Sequence, residues 1–363
     1  MKNCEQISTR FMSLDIFRGI TVFLMILVNN TWGDYSFEML EHSTWNGLTP
    51  CDVIFPVFIY IMGVSCYLSF NKRGFSRSYA DYTHILKRTT ILFLAGIIIN
   101  WAFLSVREGP LCFEHLRIWG PLQRIAVCYF LVSLFAIYCN HKYTIHMVIG
   151  WLIIYAIILI YGNGYESVSN ENILTKVDIY LFGYEHIYHR SPVDPEGFLG
   201  TIPSFAHALI GFYCGKILCS KKPIDDKIND IYFYGAILLV VGYLVSYGLP
   251  INKKIWSPSF VLVTCGISSI IFSSLIYLYD LKNKNRNVIF FKAYGINALA
   301  IYVISQLLLA LFIYLGLCDW LYNIIESIIE SQKWVSLLFS MSNLLLYSAI
   351  AILMYHFKII VHI

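Results

Sequence analysis

His42 is the side chain in this sequence best suited to move a proton. It stands in the run Glu41-His42-Ser43-Thr44-Trp45-Asn46-Gly47-Leu48-Thr49-Pro50-Cys51-Asp52. A neutral imidazole near pH 7 takes a proton from an attacking amine, or itself accepts an acyl group, which no Asn or Ser does unaided. A loop histidine that is merely solvated would read the same way. What sets this one apart is that Asn29 and Asp52 stand at the ends of the two apolar stretches that its loop joins.

The first of those stretches opens Ser13-Leu-Asp-Ile-Phe-Arg-Gly and closes Leu27-Val-Asn29-Asn30. Asp15, Arg18 and Asn29 therefore fall in or near hydrocarbon, where polar groups are costly and must face protein or water. At about 100° per helical residue, the step from Arg18 to Asn29 returns to within about 20° of one direction, and Asp15 lies about 60° from Arg18. All three share one stripe, with Arg18 and Asn29 about 16 Å apart along the axis. Such a stripe could line a route for a long, thin ligand. An internal Asp15–Arg18 ion pair that only fixes packing, with Asn29 at the interface, satisfies the same pattern.

The elements that must position these residues follow from composition. Of 363 residues, 58% are hydrophobic and 13% charged, outside the balance of a soluble globular domain. The apolar residues group into lengths close to the roughly 20 that cross a bilayer. Spans are expected at 13–30, 51–70, 88–106, 119–138, 144–161, 199–219, 231–248, 258–279, 293–315 and 334–357, giving an all-α integral membrane bundle of about ten transmembrane helices in a single domain over 1–363. No cleavable signal precedes the first stretch, which is read as a permanent span. With the N-terminus in the cytoplasm, the inner loops carry Lys72, Arg73, Arg77, Lys87, Arg88, Lys221, Lys222, Lys227, Lys282, Lys284 and Arg286, the bias expected of a cytoplasmic face. The outer loops carry Arg107, Arg117, Lys176, Arg190, Lys253 and Lys254, the adjacent lysines weakening the contrast locally. The outer segments 31–50 and 162–198 are longer than connection requires, and function tends to sit in such loops.

The ten cysteines are scattered, and several fall inside apolar stretches; no CxxC pair or metal-ligand spacing appears, so no metal is expected. The net charge of +4 comes without a basic block interleaved with aromatics, which argues against a nucleic-acid partner. A ten-helix bundle with a polar stripe also describes a transporter for a sugar or peptidoglycan fragment, but neither an inverted repeat nor paired Gly/Pro-broken stretches stand out.

Several blocks together resemble the heparan-α-glucosaminide N-acetyltransferase family of transmembrane acyltransferases: Ser13 to Gly19, Val28-Asn29, His42 to Thr49, Asp52 to Pro56, Arg117 to Arg124, Asp194-Pro-Glu-Gly197 with Gly200-Thr-Ile, Pro250 to Trp256, and Asn297 to Tyr302. The resemblance implies transfer of acetyl from cytoplasmic acetyl-CoA to the amino group of a glucosamine-type sugar across the bilayer. An acyltransferase with another donor or acceptor is the nearer alternative. By the same resemblance His42 is catalytic and Asn29 supports it, while Arg10, Arg18 and Arg124 face the CoA phosphates, a task suited to arginine. Arg124, however, falls near the outer end of its span, and a re-entrant or displaced boundary would be needed. Asp52, Asp194 and Glu196 are expected to hold the acceptor; Asp194-Pro-Glu is equally a good helix start, with Asp194 as N-cap. Ser305 stands where animal members have a second histidine. The shorter chain suggests a compact bacterial-type member of the inner membrane, with a homodimer left open.

Overall fold

The computed structural model describes residues 11–168, 171–284 and 288–361; Arg10 and Arg286 lie outside them. Among the described residues the chain is helical and forms no strand. A backbone in hydrocarbon must satisfy its own hydrogen bonds, and helices do so within one segment. In order these are α1 (Met12–Asn29), α2 (Pro50–Lys72), α3 (Tyr79–Glu108), α4 (Pro121–Tyr138), α5 (Thr144–Tyr161), α6 (Ile173–Phe182), α7 (Thr201–Leu218), α8 (Ile224–Val245), α9 (Pro258–Leu275, continued by a π turn to Leu281), α10 (Val288–Ile296), α11 (Ala298–Tyr314), α12 (Leu317–Glu326) and α13 (Gln332–His356). Among the described residues nine helices are long and apolar enough to cross a membrane, ten when α10 and α11, bent by 78°, are counted as one span.

Each expected span meets one of these. The largest boundary errors have a common cause: α3 begins at Tyr79 and α8 at Ile224, well before the apolar stretches start. Ser78 caps α3 by accepting from the Asp81 amide, and α8 opens with Asp225 and Asp226 at its positive dipole end. Hydropathy registers only the hydrocarbon portion of a helix, whereas capping groups set where the helix begins.

α2 and α7 form the most buried pair, and α3, α5 and α8 turn most of their surface outward. The central crossing depends on reciprocal glycines. A Cβ on Gly63 would lie 2.0 Å from the Ala208 carbonyl oxygen, and one on Gly211 2.1 Å from that of Tyr60. The crossing of α1 with α10 repeats the device, with Gly19 against the Phe291 carbonyl and Gly295 against that of Asp15. In lipid there is little hydrophobic drive between helices, so close backbone approach through small residues supplies the association.

The connections sort to two ends. At one, the α1–α2 loop meets the segments 162–200 and 246–257: Gly47 N donates to Ile251 O and Trp45 Nε1 to Tyr165 O. At the other, the Met12 amide at the start of α1 donates to Asp280, and Asn297 ties the α10–α11 break to the chain end through Ile359 O and Val361 N.

Gly63→Ala should therefore destabilise the bundle by roughly 1–3 kcal/mol through overpacking, seen as a lower thermal unfolding midpoint in detergent. Gly150→Ala, where a Cβ meets nothing within 4 Å, should fall within about 0.5 kcal/mol of the parent. Equal midpoints for the two would refute the close-contact account.

Candidate active site

The α1–α2 loop is closed by Asp52, which is fully buried in the first turn of α2. Its Oδ2 accepts from the amides of Ser43 (3.2 Å) and Thr49 (3.1 Å) and from the Thr49 hydroxyl (3.1 Å). Its Oδ1 lies 2.8 Å from Nδ1 of the half-exposed His42. A carboxylate on one ring nitrogen fixes the tautomer and orientation of the imidazole and leaves the other nitrogen for chemistry. Two further groups crowd this ring. The Cys51 sulfur is 3.2 Å from Nδ1, and Lys253 Nζ lies 2.9 and 3.1 Å from Nδ1 and Nε2 and 3.6 Å from Asp52 Oδ1.

Lys253 arrives from the α8–α9 connection, which is folded inward rather than solvated. Lys254 Nζ donates to Thr44 O (2.7 Å), and Asn252 Nδ2 reaches Asn46 Oδ1 (3.2 Å). Asn252 Oδ1 in turn accepts from the Ile255 amide. Trp256, held at φ 54°, is fully buried and packs edge-on against Phe55.

Next to this lies an ionic cluster. Arg117 forks onto Asp194, with Nε 3.2 Å from Oδ2 and Nη2 on Oδ1, and the same Nη2 is 2.8 Å from Glu196 Oε2. Burial works against the Arg117 charge, but Asp194 and Glu196 outweigh it and raise its pKa above the ordinary value. Burial likewise pushes the Glu196 carboxyl up, and Arg117 with Arg124 more than offsets this and holds it below its usual range. Arg124 is buried beneath Trp256, 5.0 Å from its ring, and Nη2 donates to Gly197 O at 2.8 Å. Its Nε and Nη1 are buried with no hydrogen-bond partner among the described residues. Behind the Gly197–Phe198 turn, Asp178 Oδ1 accepts from the Phe198 amide (2.8 Å) while Oδ2 is buried without a hydrogen-bond partner among the described residues. Burial, aided by Asp194, pushes this carboxyl up to about 7.

A separate cavity of about 310 Å³ opens among α1, α2, α3, α4 and the α10–α11 break, lined by Arg18, Ser65, Ser69, Arg88, Tyr129, Asn297 and the first turn of α11. Arg18 Nη2 is 2.5 Å from Ser65 Oγ, and Nη1 is 3.5 Å from Asp15. Arg88 lies 4.5 Å over the Tyr129 ring, with Nε buried and making no hydrogen bond among the described residues. Two guanidinium groups and the positive end of a helix converge on one space, a combination that suits an anion.

His42 and Asp52 are thus in contact, and Asp194 and Glu196 are together on Arg117. Asp194-Pro-Glu does not start a helix: α7 begins at Thr201, and Asp194 accepts from the Glu196 amide and from Tyr188 N inside a loop. Asn29 is the last residue of α1, exposed and making no side-chain hydrogen bond among the described residues; the buried asparagine is Asn30, bonded to Ile26 O. Arg18 lines the cavity. Arg124 lies in the first turn of α4, at the end that carries His42, and this guanidinium does not join Arg18. Ser305 is buried and bonds within its own helix. Composition and spacing give no site role to Lys253, Arg117, Arg88 or Asp178, although Arg117 and Lys253 fall within blocks of the family resemblance. The signal for Lys253 was present: two adjacent lysines, on the end otherwise poor in cations, within a block already singled out.

Asp178 generates a pH prediction. Its folded pKa is raised from 3.8 to about 7, so between these values the folded state binds the proton and the unfolded state does not, and stability falls as pH rises. The slope is on the order of 1 kcal/mol per pH unit. Asp178→Asn keeps an acceptor for the Phe198 amide and should become progressively more stable than the parent as pH is raised from 4 to 7. A stability difference that does not change with pH would exclude the buried carboxyl.

Comparison with known proteins bears on what such a pair of sites belongs to. The family model described as heparan-alpha-glucosaminide N-acetyltransferase, catalytic, matches residues 10–251, a stretch that holds His42, Asp52, Arg117 and the Asp194–Glu196 segment. The human heparan-alpha-glucosaminide N-acetyltransferase is 31% identical over 362 residues, covering 81% of this chain and 52% of that protein. The mouse protein of the same name is 30% identical over 368 residues, covering 83% and 54%. The chain spans about half the length of these curated relatives. A match that runs through both the loop in which a buried carboxylate holds His42 and the ionic cluster beside it leaves one conclusion: this chain is a membrane-helical member of the heparan-alpha-glucosaminide N-acetyltransferase family.

Proposed function

We propose that the protein transfers acetyl from cytoplasmic acetyl-CoA to the amino group of a glucosamine-type sugar on the opposite side of the membrane. The observation that carries this reading is His42 clamped by the fully buried Asp52 at the mouth of a loop end, with an arginine-lined cavity among the same helices. The donor enters at the cavity, where Arg18, Arg88 and the first turn of α11 suit phosphate. Arg124, at the His42 end, supports the acceptor side in this scheme rather than the phosphates. An N-in orientation is supported by the number of loop cations, since Lys72, Arg73, Arg77, Lys87, Arg88, Lys221, Lys222, Lys227, Lys282 and Lys284 outnumber those of the His42 end.

In the reaction the neutral sugar amine attacks the thioester carbonyl while His42 takes a proton from its nitrogen. The C–S bond breaks, and the departing thiolate receives that proton from His42 as CoA leaves. Asn29, with its amide unengaged, donates to the developing oxyanion; such a donor has been worth about 2.7–4 kcal/mol elsewhere. Asp194 and Glu196, held by Arg117, are placed to take the sugar hydroxyls or its charge.

The test is purified protein with acetyl-CoA and glucosamine, following free thiol. Sugar-dependent thiol release is expected, and none would favour a transporter. His42→Ala should lower the rate by at least about 10²-fold in protein that inserts and purifies normally; near-parental activity would remove His42 from catalysis.

Arg18 separates a donor site from a structural ion pair. If it holds phosphate, Arg18→Lys should weaken acetyl-CoA binding although charge is kept, because lysine lacks the bidentate fork. The double change Asp15→Asn with Arg18→Gln should recover stability but not affinity. Recovery of both would make the pair purely structural.

A further inference from the structure

The connection from α3 to α4 brings together three side chains that the transfer reaction does not use. Glu108 ends α3, and Gly109, at φ 99°, turns the chain back at once. Cys112 and His115 then return to the same carboxylate oxygen: Glu108 Oε2 lies 3.3 Å from Cys112 Sγ and 2.8 Å from His115 Nδ1. One donor atom from each of the three lies within 4.8 Å of the others. On the far side of the ring, His115 Nε2 is 3.2 Å from Glu185 Oε2.

We infer that Glu108, Cys112 and His115 form a binding site for a divalent transition-metal ion of the zinc class, oriented by Glu185. A solvated Glu–His ion pair explains one of these contacts. It does not explain a thiol converging on the same oxygen, nor a second carboxylate on the opposite ring nitrogen, which is the arrangement that fixes the tautomer of a metal-bound histidine. The separations fit the ion. Tetrahedral zinc with nitrogen and oxygen ligands near 2.0–2.1 Å has ligand–ligand edges of about 3.3 Å, so the Glu108–His115 pair, at 2.8 Å, need only open by about half an ångström. Binding expels the thiol proton and any proton shared between Glu108 and His115, and the cation replaces their attraction. Sulfur, imidazole and one carboxylate suit zinc, whereas magnesium and calcium demand oxygen donors.

Three protein ligands leave a fourth position for water, beside a cavity of about 460 Å³ that Arg107, His189 and Arg190 also line. The ion would join the end of α3 to the segment bearing Glu185. Arg117, which grips Asp194 and Glu196, stands two residues beyond His115 in the same connection.

The probe is cobalt(II), titrated into untagged, detergent-purified full-length protein. A cobalt–thiolate charge-transfer band that saturates near one equivalent and is displaced by zinc is expected. It should vanish in Cys112→Ser and in His115→Ala. Glu185→Gln should weaken cobalt binding by about 10–100-fold. Absence of the band, or a band surviving Cys112→Ser, would overturn the site, and unchanged affinity in Glu185→Gln would overturn the role of Glu185. In the unaltered protein, zinc should also slow alkylation of Cys112 but not of the exposed Cys139; equal rates with and without zinc would count against the site without recourse to any variant.

Discussion

The carboxylate of Asp52 takes no contact from solvent, yet it meets two loop amides, a hydroxyl, the His42 ring and the Lys253 ammonium. A buried charge is tolerated only when paired and hydrogen-bonded, and here the partners come from the α1–α2 loop and, through Lys253, from the α8–α9 connection. The same oxygen atoms that start α2 also close the α1–α2 loop, orient the imidazole and draw the α8–α9 connection inward. Removing this charge would unfasten the histidine and the loop together, so the His42 ring and the local fold share one constraint.

Helix packing sets that constraint in place. The start of α2 is fixed because α2 is locked against α7 through Gly63 and Gly211, and α7 begins where the Asp194–Gly200 loop ends. The ionic cluster on Arg117 and the buried Arg124 press on that loop from both sides. The α1–α10 contact does the corresponding work at the other end. It holds the broken helix against α1, so that the irregular backbone at Asn297 lines a cavity rather than meeting lipid, the setting in which a break at membrane depth is tolerated.

Charge follows the same division. At the His42 end Arg117, Lys253 and Lys254 are tied to buried carboxylates or a backbone carbonyl, and at the other end Arg18, bonded to Ser65 and beside Asp15, lines a cavity with Arg88. One end is therefore dense in paired charges around the His42 ring, and the other brings two guanidinium groups to one cavity.

The sequence determined the class of molecule, since ten apolar stretches admit no other use, and each emerged as a helix or a bent helix pair. It also marked His42, Asp52, Asp194 and Glu196, because costly polar residues beside apolar runs are visible one by one. It left open which of them meet. The stripe from Asp15 to Asn29 followed from helical periodicity, but its two ends differ in setting: Arg18 lines a cavity, and Asn29 is exposed at the helix end. Asp194-Pro-Glu had the local signature of a helix start, and an ion pair with Arg117, 77 residues away, prevailed over it. Lys253 reaches His42 across 211 residues, and Cys112 meets Glu108 only because Gly109 reverses the chain. Periodicity and hydropathy are local and can be read from a string. Ion pairing and ligand convergence depend on distances between segments, and these only the packed helices decided.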